Sequence, residues 1–387
     1  MTPAEADAFA GRAAAYVHIP FCSSICPYCD FAVVAGRDDE IDRYLYGLTR
    51  EVRLSAPWRA LDAVYFGGGT PSHVPPAGLA SVLDALATHH GLAGDAELSL
   101  EANPEDFSVG AAVMLRRAGF NRISFGAQSF DESVLTDLGR RHGPDQIGAS
   151  VASARAAGFD NVSLDLIYGT PGESDRSWRR SLQRAVELGT DHISAYALTV
   201  ERGTPLGRTV SAGATAPDPD SQADRYEMAD EVLTAAGFER YEVSNWARPG
   251  KECHYNLTVW AQGEYEAYGN GAHGFRDGRR YRNHRRLDAY LSAVEGGTLP
   301  RAGEDEITCW DAELDRLFVG LRRTVGVSHG PGTVELLKSD SGKELVRAGV
   351  IVADDSRLEV KRPLLTDAVH RSVLSQSAPI VGGDDDA

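Results

Sequence analysis

"AYVHIPFCSSICPYCDF", residues 15–31, runs from a β-branched and aromatic segment straight into three cysteines, Cys22, Cys26 and Cys29. Its first six residues read as a strand, because branched and aromatic side chains ending at a proline favour extended backbone. The spacing C-x3-C-x2-C then puts three thiols into the loop that follows. The chain has five cysteines in 387 residues. An odd count in a long chain argues against a disulfide scaffold and for metal or redox chemistry. Three soft sulfurs in one compact loop suit three irons of a cubane cluster and leave the fourth iron open. Zinc is the competing reading, but a closed zinc site wants a fourth ligand, and Cys253 and Cys309 are isolated and distant. Polar Ser23, Ser24 and Asp30 speak against apolar cysteines packed in a core.

Working outward, the same strand signal returns at "AVYFGG" (63–68), "LSLEAN" (98–103), "RISFGAQS" (122–129), "VSLDLIYG" (162–169) and "HISAYAL" (192–198). Helical spacing fills segments between them, as in 40–54, 76–90 and 177–188. Three helices end alike, "RRAGF" (116–120), "RAAGF" (155–159) and "TAAGF" (234–238), with glycine where a helix stops in a left-handed residue. Six βα units predict an α/β fold with a parallel sheet, arranged as a partial (β/α)6 barrel of the TIM type.

The unusual residues fall at matching places in each unit. The cysteines follow strand one, "GGGTPS" (67–72) follows strand two, Glu101 and Asn103 end strand three, and Gln128 ends strand four. Asp165 and Tyr196 lie in strands five and six. Loops after barrel strands share one face, so six units converge on one site. Glu101 and Asp165 are carboxylates inside apolar strands, costly unless each meets a cationic or hydroxyl partner. Gln128 can donate and accept, and Arg140 offers a carboxylate-binding fork or is simply a surface arginine after a helix. The glycine triplet lets backbone approach a ligand closely, or merely makes a tight turn.

A cysteine triad of this spacing after the first strand of a βα chain, with Tyr28 before the third cysteine, resembles the radical S-adenosylmethionine (SAM) superfamily. "HIPFC…CPYCDF", "YFGGGTPS", "EANPE", "ISFGAQSF", "DLIYGTPGE" and "YEVSNWA" are similar, in order and over most of residues 15–375, to the oxygen-independent coproporphyrinogen III oxidase-like family. The resemblance implies a [4Fe-4S] cluster on Cys22, Cys26 and Cys29, whose open iron takes the amino and carboxylate groups of SAM. An electron donor then drives cleavage to methionine and a 5′-deoxyadenosyl radical. It also implies SAM contacts from Tyr16, Tyr28, Gly68, Gly69, Thr70, Glu101, Gln128, Arg140 and Asp165.

Phe31 stands where the decarboxylating branch of this family resembles C-x3-C-x2-C-x-C and has a fourth cysteine. The Phe pattern resembles the heme chaperone branch, which binds heme and passes it to recipient proteins such as respiratory oxidases. That branch usually has an H-N-x-x-Y-W motif; here "YNLTVW" (255–260) has Tyr255 for His and Val259 for Tyr, with His254 one position earlier. The expected function is a heme chaperone holding a [4Fe-4S] cluster and SAM. The alternatives are decarboxylation of coproporphyrinogen III and radical SAM chemistry on another substrate.

Past residue 245 the composition changes. Residues 251–275 are rich in glycine and aromatics and contain His254 and His273, the two heme-ligand candidates, of which His254 is preferred for its place beside the altered motif. "RDGRRYRNHRR" (276–286) holds six arginines, either a solvated hairpin near acidic neighbours or a propionate-binding set. The expected organisation is an N-terminal extension (1–14), the barrel (15–245), a connecting segment (246–303), a winged-helix-like unit (304–375) and a disordered tail (376–387). A net charge of -17, and ten acidic against ten basic residues between 310 and 375, give nucleic-acid binding no support. No run of about 18 apolar residues and no signal-peptide pattern occur, so no membrane span and a cytoplasmic location are expected.

Overall fold

The first strand of the sequence lies in the middle of the sheet. β1 (Ala13–Ile19) is parallel both to β2 (Leu61–Gly68) and to a late strand, Glu264–Tyr268. This computed structural model describes residues 1–376, and the tail expected at 376–387 lies, from residue 377, outside the described residues.

From β2 the sheet continues in parallel through β3 (Leu92–Ala102), β4 (Arg122–Gln128), β5 (Asn161–Tyr168) and β6 (His192–Ala197). Five helices cross over between successive strands: α1 (Ile41–Leu54), α2 (Pro76–His90), α3 (Val109–Ala118), α4 (Pro144–Ala156) and α5 (Asp175–Glu187), and α6 (Pro219–Ala235) follows β6. α1 shows why these segments are helical. Ile41, Tyr44, Leu45, Leu48 and Val52 recur at three- and four-residue intervals and all are buried. The helix-ending glycines Gly119, Gly158 and Gly237 all have positive φ, as the repeated "AGF" predicts.

The partial barrel expected from the sequence is therefore present, and the sheet runs beyond it at both edges. β7 (Glu239–Arg240) and β8 (Asn245–Ala247) add antiparallel strands beside β6. On the other side β9 (Glu264–Tyr268), β10 (His273–Arg276), β11 (Arg279–Asn283) and β12 (Arg301–Glu306) extend the sheet from β1. Residues 246–303 are thus not a plain connection. They contribute these strands, α7 (His254–Trp260) and α8 (Leu287–Glu295) to the same body. The chemistry that ties them in is Glu51 on α1, whose carboxylate accepts from Gly269 N–H (2.8 Å), Tyr290 Oη (2.7 Å) and Asn283 Nδ2 (2.6 Å).

After residue 304, four helices, α9 (Cys309–Gly320), α10 (Pro331–Lys338), α11 (Asp340–Arg347) and α12 (Thr366–Leu374), pack with a small antiparallel sheet. That sheet pairs Val327–Ser328 and Ile351–Ala353 with Arg357–Val360. This unit has a core of its own, centred on Leu317, Leu336, Ile351, Leu358 and Val369. The amino-terminal residues join it to the barrel: Asp7 pairs with Arg323 at 3.0 Å and Arg357 at 2.6 Å, while Phe9 packs on Tyr241 and Leu257. No helix among the described residues is long and apolar enough to cross a membrane.

Candidate cluster and cofactor site

The loops after the barrel strands, with side chains that point inward from β2 to β6, enclose a cavity of about 480 Å³, a volume typical of small-molecule sites. Cys22, Cys26 and Cys29 are half-buried at its wall. Burial raises the pKa of Cys22 to about 11 and that of Cys29 as well, so a thiolate here calls for a bound cation. Among the described residues no three His, Cys, Asp or Glu side chains gather tightly enough to hold one metal ion. A cubane cluster takes one thiolate per iron, which three thiols spread over one loop can supply.

A chain of hydrogen bonds clamps two of the cysteines. Thr70 Oγ1 donates to Cys22 Sγ at 3.4 Å, and Asn103 Nδ2 donates to Thr70 Oγ1 at 3.2 Å. Arg140 closes the chain by donating Nη2 to Asn103 Oδ1 at 2.5 Å and Nη1 to Cys26 Sγ at 3.4 Å. Arg140 is thus a wall residue of the cavity and not a surface arginine. The donors come from three successive βα loops, so the barrel itself holds the cysteine loop in place.

Deeper in, Glu101 accepts from Tyr65 Oη at 2.8 Å and Gly68 N–H at 3.1 Å, and Asp165 accepts from Ser124 Oγ at 2.9 Å. Burial, with Asp165 nearby, lifts the pKa of Glu101 to about 7, and burial raises that of Asp165 too. Neither carboxylate has a cationic partner within 4 Å among the described residues. Arg122, the buried cation on the same floor, has Glu97 as its carboxylate neighbour at 4.0 Å. Two carboxylates with no directly paired cation, facing a cavity, match a positively charged ligand. SAM, with its ammonium and sulfonium groups, has that charge.

Of the nine residues expected to meet SAM, Tyr28, Gly68, Gly69, Thr70, Glu101, Gln128, Arg140 and Asp165 line the cavity. Tyr16 does not. Its hydroxyl lies 3.2 Å from His18 Nδ1 and its ring stacks on Tyr65. Gln128 sits at φ 61, a left-handed conformation that costs a non-glycine residue about 1–3 kcal/mol and is kept at functional sites. Gly68 has φ +111, and a Cβ there would come within 2.2 Å of His18 Nδ1. Packing against β1 therefore demands glycine here whether or not a ligand comes close.

The heme-ligand candidates, His254 and His273, both lie off the cavity lining. His254 donates its N–H to Glu97 at 2.9 Å and packs its ring on Phe9 at 5.4 Å, toward the strand starts and away from the cysteines. The reason for preferring it fails for a geometric cause: neighbouring helix positions point about 100° apart, so a one-residue shift changes the face. It is Tyr255 and Asn256 that turn inward, Tyr255 stacking on Tyr65 at 5.3 Å and Asn256 lining the cavity. His273 is exposed on β10, opposite Arg282. In the arginine-rich segment Arg276 pairs with Glu266 at 2.5 Å, Arg279 with Glu304 at 2.8 Å, and Arg280 with Asp315. For these three the reading as a hairpin near acidic neighbours holds, and they are not free for propionates.

Sequence reasoning passed over Tyr65, Arg122, Ser124, His192 and Ser194, all of which line the cavity, as does Asn256, which the altered H-N-x-x-Y-W segment retains. A signal was present. Arg122, Ser124, Gly126 and Gln128, like His192, Ser194 and Tyr196, recur at every second position, the period at which a strand presents one face.

The Radical SAM superfamily matches residues 16–185. The chain is 42% identical to the heme chaperone HemW of Mycobacterium tuberculosis (strain ATCC 25618 / H37Rv) over 378 residues, 93% of this chain and 94% of that one. It is 35% identical to the heme chaperone HemW of Bacillus subtilis (strain 168), covering 81% of this chain and 84% of the other. Among solved structures it is similar to coproporphyrinogen III oxidase (HemN) from Escherichia coli, with a TM-score of 0.81 and 24% identity, covering 95% of this chain and 92% of that chain. That last likeness speaks for the fold.

Proposed function

The chain belongs to the HemW branch of the HemN-like radical SAM proteins, and from that premise we propose that it is a heme chaperone which carries heme to recipient proteins. In this reading Cys22, Cys26 and Cys29 hold a [4Fe-4S] cluster, and the cavity beside them holds SAM. Bound together, cluster and SAM would supply the capacity for one-electron cleavage of a carbon–sulfur bond, which heme carriage itself does not consume.

The chain's own residues do the positioning. Thr70, Asn103 and Arg140 fix the cysteine loop, Glu101 and Asp165 supply negative charge to a cationic ligand, and Gln128 is held in a strained backbone conformation at the same wall. The observation that carries the chaperone reading over enzymatic turnover is Phe31. It occupies the place of the decarboxylases' fourth cysteine and stands 64% exposed at the cavity rim, where it offers an apolar contact instead of a thiol. The unit after residue 304 is read as a winged-helix-like body without a nucleic-acid role.

The test is anaerobic reconstitution of the full chain with iron and sulfide, followed by separate heme-binding and porphyrinogen-turnover assays. Stoichiometric heme binding without SAM consumption is the expected result. Decarboxylated porphyrinogen would replace the chaperone reading with an enzymatic one.

A further inference from the structure

The arginines between 276 and 286 fall into two groups, with Arg286 apart from both, exposed and 4.0 Å from Asp288. Arg276, Arg279 and Arg280 are matched by carboxylates, as described above. At the other end of the hairpin Arg282 has only Asp305, 4.0 Å away and itself 78% exposed, and Arg285 has no carboxylate within 4 Å among the described residues. Arg285 instead donates to the backbone carbonyl of Asp30, in the cysteine loop. The unmatched positive charge lies beside the candidate cluster site.

Asn270 and Gly271 join this end of the hairpin to the cysteine loop by two contacts, and a third ties Asn270 to Arg285. Asn270 Nδ2 donates to Ala32 O at 3.2 Å and to Arg285 O at 3.0 Å, and Gly271 lies so near Ala32 that a Cβ would meet its side chain at 2.7 Å. Phe31, next to Ala32, is the most exposed large apolar side chain of the described residues. His273 stands two residues past Gly271 and faces Arg282 across the β10–β11 pair. Burial, and then the nearness of Arg282 and Arg285, lowers its pKa, which favours the neutral imidazole that ligates iron.

We infer that this rim is the heme-docking surface, with His273 as the iron ligand, Arg282 and Arg285 as partners of the ring's carboxylates, and Phe31 as an apolar seat for the macrocycle. The inference rests on the heme-carrying function proposed above. Heme presents an apolar face, an iron that takes an axial imidazole, and carboxylates suited to a guanidinium fork. Here His273 faces Arg282, while Arg285 and Gly271 reach the loop residues on either side of Phe31, which brings the three complementary groups to one rim beside the cysteines. His254, packed on Phe9 toward the strand starts, has no such company.

Titrating hemin, and separately iron-free protoporphyrin, into the full-length protein tests this. His273→Ala and His273→Gln should shift the absorption band of bound hemin and weaken hemin, while leaving iron-free porphyrin affinity unchanged. Arg282→Gln with Arg285→Gln should weaken both ligands by about tenfold without moving the hemin band, since a charge-assisted contact is worth that order of affinity. His254→Ala should change neither. If wild-type protein binds hemin but His254→Ala, or no histidine change, moves the band, the placement is overturned and the heme-carrying function stands. If the wild-type protein takes up no hemin, that function falls, and this surface falls with it.

Discussion

The barrel lumen and the β10–β12 hairpin are both dense in charge, yet they solve the same electrostatic problem in opposite ways. On the hairpin, Arg279 and Arg280 each find a carboxylate on a neighbouring element and remain half in water. Such pairs contribute little and need no ligand. In the lumen Glu101 and Asp165 are buried with hydroxyl and backbone donors and no cation within 4 Å, Arg122 acting on them only from farther off, and the fold keeps them there at the cost of raised proton affinity. Charge density therefore does not mark the site. Buried carboxylates that face an open cavity do.

The largest effect that could break this contrast concerns the cysteines. Cys22→Ala, Cys26→Ala and Cys29→Ala should each abolish normal cluster assembly, measured as iron and acid-labile sulfide per chain, while Cys253→Ala and Cys309→Ala should keep wild-type content. Equal content in all five variants would remove the lumen's claim to a cluster. Next comes Gly68→Ala, which forces a side chain onto His18 at a positive φ and should cost about 3 kcal/mol or more in denaturant unfolding. A cost below about 1 kcal/mol would show that the loop yields.

A smaller effect sharpens the electrostatic side of the comparison. Glu101→Gln and Asp165→Asn should each weaken SAM binding by about 10- to 100-fold, as expected for loss of a charge-assisted contact in a buried site, while the cluster spectrum persists. The pH dependence follows from the raised carboxyl. Glu101 keeps its proton in the fold up to about 7, whereas its ordinary value is 4.5. Its burial penalty is thus absent below about 4.5 and complete above about 7, so the ligand-free fold loses stability across that window. A cationic ligand prefers the ionised form, so SAM affinity should climb as pH rises through about 7 and flatten in Glu101→Gln. Calorimetric titration at several pH values would expose an opposite trend. The smallest effect is expected on the hairpin, where Arg279→Gln should leave the melting midpoint within experimental error; a clear drop would mean that these exposed pairs matter more than their setting suggests.

Much of this architecture was legible in the chain before any coordinates. Strands three to six declared themselves through branched and aromatic runs, and the repeated "AGF" ends located three helix stops because only a left-handed glycine closes them that way. The cysteine loop, Glu101 and Asp165 were legible for a related reason, being polar groups where an apolar strand or loop would otherwise run. Arg122, Ser124 and His192 carry the period-two signal of one strand face, but both faces of these strands are largely buried, so alternation alone does not separate the cavity face from the core face. His254 was preferred on sequence adjacency, and a helix does not preserve adjacency as direction. β9 was read as part of a connection because its pairing with β1 spans some 250 residues of chain, a relation no local pattern encodes, and β10 to β12 join the sheet only through it.

The central position of β1 has a consequence for the order of folding. Its neighbour on one side, β9, is synthesised last of the strands that flank it, and Asp7, just ahead of β1, waits for Arg357 across 350 residues. At ribosomal rates of about 5–20 residues per second, the roughly 250 residues between β1 and β9 take about 12–50 s. Throughout that time, β1 keeps one open edge, and the thiols that follow it stay beside an unfinished wall. A nascent chain halted near residue 250 should accordingly show β1 amides exchanging faster with solvent than those of β4 and β5, and equal protection would mean that the open edge is covered by other means.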